Sequence, residues 1–324
     1  MSKIYSVVIP VYKNEGYVGQ LVTAFEALSA EAQARFAVTM EFVFVVDGSP
    51  DRSLELLRDA LPAAKFASQL LSHSRNFGSF AAIRSGLAAG RGDWFGVIAA
   101  DLQEPPELLL EFLAPMIAGS ADVAVGRRET RDDPAASQRN ANLFWAIYRR
   151  FVIPDVPPGG VDVFGCTRDV RDHLVAFTEA GSSLVGQLFW VGYRRLEVPY
   201  ARRARSIGVS AWTFRKKLRY MMDSIFAFTD LPVRVLMILG MTGLLVSVPL
   251  GTVVAVLRIA GVIEVPGYAA TMLAIIFFGA LNTLGIGIVG SYAARAYENT
   301  KMRPLAIVER RAQFPAGEEP DHGG

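Results

Sequence analysis

The chain has 324 residues, with 33 Lys and Arg against 31 Asp and Glu, and its net charge of +2 gives no sign of a nucleic-acid binder. A hydrophobic share of 52% and a mean hydropathy of +0.30 are high for a water-soluble enzyme, so the excess must be concentrated somewhere in particular. The one cysteine, Cys166, excludes an internal disulfide and fits a reducing compartment.

The apolar run at 4–11 is interrupted by Pro10 and followed by Lys13, with no small-residue cleavage pattern behind it, so it is not read as a signal peptide. From there to about Gly126, five segments rich in β-branched residues read as strands: "IYSVVIPVY", "MEFVFVVDG", "FASQLLSHS", "WFGVIAADL" and "ADVAVGRR". Between them, 15–30, 51–61, 78–90 and 105–118 carry apolar residues at helical spacing. This alternation predicts an α/β fold: an open, mostly parallel sheet of Rossmann-like type with helices on both faces. Ligands in such sheets bind beyond the carboxyl ends of the strands, where Pro10, Asp47, Ser74 and Asp101 fall.

From 127 to 210 the chain is less regular and more basic. A polar loop leads into a helix with Arg139, Arg149 and Arg150, a Pro/Gly-rich loop precedes a short strand in "DVPPGGVDVFGCTRD", and a further helix and strand end in an arginine-laden loop. Segment 212–230, "WTFRKKLRYMMDSIFAFTD", has a basic start and many aromatics, as an amphipathic helix lying in the headgroup plane would. Residues 235–257 and 267–294 contain no charge and exceed the roughly 20 residues needed to cross a bilayer. Arg215, Lys216, Lys217, Arg219 and Arg234 precede the first run, and Arg295, Lys301, Arg303, Arg310 and Arg311 follow the second. Only Arg258 and Glu264 lie between them. The positive-inside tendency puts both flanks in the cytoplasm. The expected organisation is a catalytic domain at 1–210, an amphipathic surface helix at 211–232, a transmembrane hairpin at 233–295 and a cytoplasmic tail at 296–324, the stretch 312–324 being disordered.

The stretch "GVIAADLQEPPELL", residues 96–109, ends a buried strand in a lone carboxylate. Asp101 is equally readable as a turn residue before prolines that open the next helix. In D-x-Q spacing, however, Asp101 and Gln103 supply hard oxygen donors suited to Mg²⁺ or Mn²⁺, whose shell is completed by water and substrate phosphates.

Taken in order, "VVIPVYKNEGYV", "VFVVDGSPDRS", "SRNFGSFAAIRSGLAAGRGDWFGVIAADLQEPPELL" and "VGRR" resemble the family 2 glycosyltransferases of the GT-A fold. The resemblance covers about residues 4–295 and is strongest to the dolichyl-phosphate mannose synthase and bacterial polyisoprenyl-phosphate glycosyltransferase branch. It implies that Pro10, Tyr12, Glu15 and Asp47 contact the nucleoside of a UDP- or GDP-sugar, and that Asp101 and Gln103 hold the divalent metal and the diphosphate. It implies catalytic or phosphate-binding roles for Arg127 and Arg128, and acceptor or phosphate contacts for Arg139, Arg202, Arg205 and Ser210. Arginine suits phosphate because its planar fork matches the oxygens. The implied reaction is inverting sugar transfer to a polyisoprenyl phosphate, with undecaprenyl phosphate expected, at the cytoplasmic face of the inner membrane. A homo-oligomer is implied as well.

Two positions depart from the family pattern. Val46 precedes Asp47 where the family usually has a second Asp, and Ala99 removes a carboxylate two residues before Asp101. They motivate an alternative reading as a non-catalytic binder of nucleotide sugar or lipid phosphate. A transferase acting on another glycan is a further alternative, although the Q-x-x-R-W signature of processive synthases is absent. No chemical role falls to His73.

Overall fold

The computed structural model describes residues 3–130, 145–146, 148–150, 152–157, 160–179, 181–203, 214–262 and 267–317. Its sheet comprises β1 (Lys3–Val11), β2 (Val38–Val46), β3 (Ala67–His73), β4 (Trp94–Val97), β5 (Val123–Thr130), β6 (Phe164–Thr167), β7 (Arg195–Ala201) and β8 (Val308–Phe314). The spatial order is β7-β5-β6-β4-β1-β2-β3-β8. β1 runs parallel to β2 and β4, β2 to β3, and β5 to β7, while β6 is antiparallel to β4 and β5, and β8 to β3. Two successive reversals through β6 leave β5 and β7 pointing the same way as β4. The carboxyl ends of β1, β2, β4, β5 and β7 therefore share one edge.

Strands β1 and β2 are near-continuous apolar runs because both of their faces are covered. Alternate side chains go to opposite faces. Val7, Ile9, Phe42 and Phe44 meet Leu21 and Phe25 of α1 (Val18–Phe36), Leu57 of α2 (Ser53–Ala60) and Leu109 and Phe112 of α4 (Leu108–Ile117). Val8, Val43 and Val45 meet Ile83 and Leu87 of α3 (Ser79–Ala89), Leu174 of α5 (Arg168–Ala176) and Leu188 of α6 (Leu184–Trp190). α3 approaches β1 so closely that a Cβ at Gly86 would lie 2.2 Å from Val8 Cγ1.

At the opposite edge from the strand ends, Glu41 is 2% exposed and carries the polar connections of the core. It accepts from Ser6 Oγ (2.6 Å), Gln69 Nε2 (3.0 Å), Arg91 N (3.0 Å) and Arg91 Nε (2.8 Å). Burial works against its charge, yet these donors outweigh burial and hold the carboxyl below its usual range.

Beyond the sheet, α7 (Phe214–Phe228), α8 (Leu231–Ile259) and α9 (Tyr268–Thr300) follow in sequence. Helical stretches at Leu231–Leu257 and Phe277–Thr300 are long and apolar enough to cross a bilayer, and their apolar windows are 0% buried. Two expectations are corrected here. The stretch from 312 is not irregular throughout: β8 takes in 312–314, where the half-buried Ala312 and Phe314 pack on the core while the arginines alongside lie at the sheet's outer edge. Nor do the aromatics of α7 all turn away from the protein. Tyr220 stacks on Tyr148 (5.8 Å) and contacts Phe80 (5.9 Å), and the Phe228 ring fills the space that a side chain at Gly186 would need. The exposed apolar residues of α7 include Leu218 and Met222 instead.

Replacing Glu41 by Ala is expected to cost about 2–4 kcal/mol, because the Ser6 hydroxyl, one N–H of the Gln69 amide and the Arg91 backbone N–H lose their acceptor. Denaturant unfolding of wild type and Glu41→Ala measures it. The lowered pKa means that the unfolded chain binds more protons than the native one. The stabilisation is therefore complete above the ordinary carboxylate range, about pH 4–5, and is lost as pH falls through the depressed native value. Glu41→Gln should accordingly lose less stability than wild type on acidification.

Candidate active site

The loops after β1 and β2 are laced together at the shared edge. Lys13 N donates to Ser49 Oγ (2.8 Å), Glu15 N to Asp51 Oδ2 (3.1 Å), and Arg52 N to Glu15 Oε2 (3.0 Å). Tyr12 and Glu15 are thereby presented on an exposed shelf next to the half-buried Pro10 of β1, Tyr12 at 37% exposure. Burial opposes the charge of Asp51, but Ser49, Ser53 and the Glu15 and Ser53 N–H groups hold its carboxyl low.

Asp47 occupies the expected strand end, but its carboxylate faces inward and is 2% exposed at the residue level. It accepts from Phe77 N (2.8 Å) and Gly78 N (2.7 Å) and pairs with His73 Nδ1 (2.8 Å), whose Nε2 meets Ser85 Oγ at 2.9 Å. Burial would raise the Asp47 carboxyl, and the bonds from His73, Phe77 and Gly78 bring it below its usual range. Asp47 thus fastens the "SRNFG" loop to β2, and His73 ties β3 to α3. The fastening requires Gly48, which has φ +56°, and a Cβ there would sit 2.3 Å from the Arg75 carbonyl carbon. The side chain of Asp47 is held by these bonds within the fold, while Val46 beside it is a buried core residue.

Asp101 follows β4 in a tight turn. Leu102 has φ +51°, a conformation costly for a bulky side chain, and Gln103 N donates to Asp101 Oδ1 at 3.3 Å. Gln103 then joins this turn to the loop after β7. Its amide nitrogen donates to Arg203 O (3.3 Å), its backbone carbonyl accepts from Arg203 N (2.9 Å), and its Oε1 accepts from Arg202 Nη2 (2.8 Å).

The residue that sequence reasoning missed is Glu104. It is fully buried, with Arg202 Nε 3.2 Å from Oε1. Burial pushes its carboxyl up, Arg202 pulls it back in part, and the Asp101 charge raises it further, with Arg128 opposing. Arg128 also hydrogen-bonds Tyr200 and forms an ion pair with Asp162, another residue not singled out beforehand, two positions before β6. No sequence signal marked Glu104, because the arginines that face it, Arg128 and Arg202, are distant in sequence.

The structure therefore brings Asp101, Gln103, Arg128 and Arg202 together around Glu104. Arg127, next along β5, takes the other face and lies 3.5 Å from Glu197, beside a separate cavity of about 500 Å³ lined by Arg149, Asp155, Tyr193 and Arg195. Arg139, Arg205 and Ser210 lie outside the described residues. A cleft of about 380 Å³ between Pro199–Ala201 and the start of α4 adjoins the cluster and includes Arg203 and Glu107.

Among the described residues no group of three or more His, Cys, Asp or Glu could hold a metal alone. The donor set fits a hard cation that draws most of its shell from water and a diphosphate, with Asp101 as the carboxylate ligand. Gln103 Oε1 already accepts one hydrogen bond from Arg202 Nη2.

The mixed α/β sheet, with its charged groups gathered beyond the strand ends, has the architecture of the GT-A fold. Residues 6–169 match the family described as Glycosyl transferase family 2. The chain is 32% identical to an uncharacterized glycosyltransferase of Synechocystis sp., over 94% of each chain. It is 28% identical to the bactoprenol glucosyl transferase of Shigella phage SfV, over 95% of this chain and 99% of that one. In fold it is similar to glucosyl-3-phosphoglycerate synthase from Mycobacterium tuberculosis, solved with Mn²⁺, UDP-glucose and phosphoglyceric acid, at TM-score 0.50 and 16% identity over 69% of this chain and 78% of that one. The chain belongs to glycosyl transferase family 2 and is a glycosyltransferase.

Glu104→Ala is expected to lower stability by roughly 1–3 kcal/mol through loss of the Arg202 contact, and to speed hydrogen exchange at the Arg203 amide. Denaturant unfolding and amide exchange measure the two effects.

Proposed function

We propose that the protein transfers a single sugar from a UDP- or GDP-sugar to a polyisoprenyl phosphate, with inversion, at the cytoplasmic face of the membrane. The observation that carries this reading is the cluster of Asp101, Arg128 and Arg202 at the end of β7, from which the chain leads to α7 and two exposed apolar helices. The name of the Shigella phage relative supports a bactoprenol-type acceptor and a glucosyl group. In this reading α8 and α9 form a membrane hairpin, residues 1–210 lie in the cytoplasm with the tail, and undecaprenyl phosphate is the acceptor.

A polyisoprenyl phosphate has a second pKa of about 6 and is largely a dianion at neutral pH, so its oxygen needs no strong base. That oxygen bonds to the anomeric carbon as the bond to the nucleoside diphosphate breaks, and the electron pair leaves with the diphosphate. Pro10, Tyr12 and Glu15 offer the shelf on which the nucleoside rests. Arg202 and Arg128 neutralise and orient phosphate oxygens with their planar forks, and Glu104 keeps Arg202 from swinging into water. A bound Mg²⁺ or Mn²⁺, held through Asp101, supplies Lewis-acid stabilisation of the leaving diphosphate.

Membranes carrying the protein, given labelled UDP-glucose, GDP-mannose or UDP-N-acetylglucosamine with undecaprenyl phosphate, should yield one labelled glycolipid bearing a single sugar. Asp101→Ala should lower the rate by at least roughly 100-fold with the fold intact. Absence of labelled lipid with every donor, or an undiminished rate in Asp101→Ala, would overturn the proposal.

A further inference from the structure

Three parts of the chain that are distant in sequence meet at Arg295, the first charge after the uncharged run 267–294. Its Nη1 donates to Gly181 O at 3.0 Å, in the loop between α5 and α6. Its Nη2 donates to Asp223 Oδ1 of α7 at 2.8 Å, and the guanidinium lies 5.1 Å over the Phe226 ring. Phe226 in turn packs edge-on against Tyr292, 5.2 Å away and one helical turn before Arg295. Gly181 has φ +72°, and a Cβ there would lie 3.0 Å from Nη1, so the arginine rests directly on the loop backbone. The ion pair is half-buried, with side-chain exposures of 26% and 33%, which protects it from screening.

A second set of contacts closes the same joint from the catalytic-domain side. Ser183 Oγ caps α6 by accepting from Gly186 N (3.1 Å) and also donates to Tyr220 Oη (2.9 Å). α6 continues into β7, whose end carries Arg202 and Arg203. One short path thus runs from the second apolar helix through Arg295 and the 181–186 loop to the arginines of the site.

We infer that Arg295, with Asp223, is a positioning residue that locks the catalytic sheet at a fixed height and tilt over the bilayer, so that a lipid-borne phosphate reaches the site. The inference rests on the membrane-acceptor reading above. The lock acts on presentation of the acceptor and leaves the chemistry of the site untouched. Its loss therefore penalises an acceptor held in a membrane and spares one that diffuses freely.

The test compares wild type, Arg295→Ala, Asp223→Ala and the double reversal Arg295→Asp with Asp223→Arg, all reconstituted in vesicles. Each is assayed with undecaprenyl phosphate in the bilayer and with a short-chain, water-soluble isoprenyl phosphate. The single variants should lose roughly 10–100-fold in kcat/KM on the bilayer acceptor, the scale of an ångström-level misplacement. They should keep the soluble acceptor's rate within about twofold, and the reversal should recover a large part of the loss. Equal loss on both acceptors, or no loss on the bilayer acceptor, overturns the inference. Hydrogen exchange over 181–186 and 214–228 gives a readout independent of turnover, and both segments should lose protection in Arg295→Ala. Unchanged protection overturns the inference. A wild type inactive on both acceptors refutes the proposed reaction instead, and the exchange pattern still decides the lock.

Discussion

A carboxylate with no exposure to water stands at the centre of the site, and most of the local architecture is a response to it. Desolvating an anion costs several kcal/mol unless cations and donors face it. Glu104 has Arg202 against one oxygen and feels Arg128 from β5. Those two arginines are thereby drawn to the end of the sheet from different strands. Gln103, held by Arg202 and Arg203, pins the loop after β7 to the turn after β4. Without the buried acid, these cations would have little reason to converge beside Asp101.

The strand-end location of the site was legible because a parallel sheet has only one place to put it. The strands at 4–11, 40–46, 67–73 and 94–97 follow from β-branched runs, and the helices between them from apolar spacing. Asp101 was legible for the same reason. Asp47 was less so. A strand-end aspartate binds a ligand or ties down a neighbouring loop, and only the positions of Phe77, Gly78 and His73 choose between these tasks. Glu104 was missed because burial of an acid depends on which cations other strands deliver, and Arg128 and Arg202 are distant in sequence. β8 was missed because its outer residues are charged, as edge strands require, and the alternation of Ala312 and Phe314 with polar neighbours is short. The aromatics of α7 were assigned to lipid because composition records amphipathicity without saying which apolar surface a helix meets.

The single carboxylate at Asp101 acquires a context from the rest of the site. With Ala99 in the place of a second acid, negative charge near the proposed diphosphate is low. Arg128 is paired with Asp162 and Arg202 with Glu104, so the four charges around Asp101 are matched. Among the described residues no group of three or more His, Cys, Asp or Glu stands there to hold a cation by itself.

The return of the chain as β8 has a mechanical meaning. β7, which leads toward α7 and the apolar helices, is one outer strand of the sheet, and β8, which follows them, is the other. The catalytic body is thus slung between two tethers on opposite flanks, like a cradle hung from both sides rather than a weight on a single cord. The two attachments limit rotation of the sheet against the apolar helices, and severing the rear one would both loosen that limit and strip the cover from the open flank of β3.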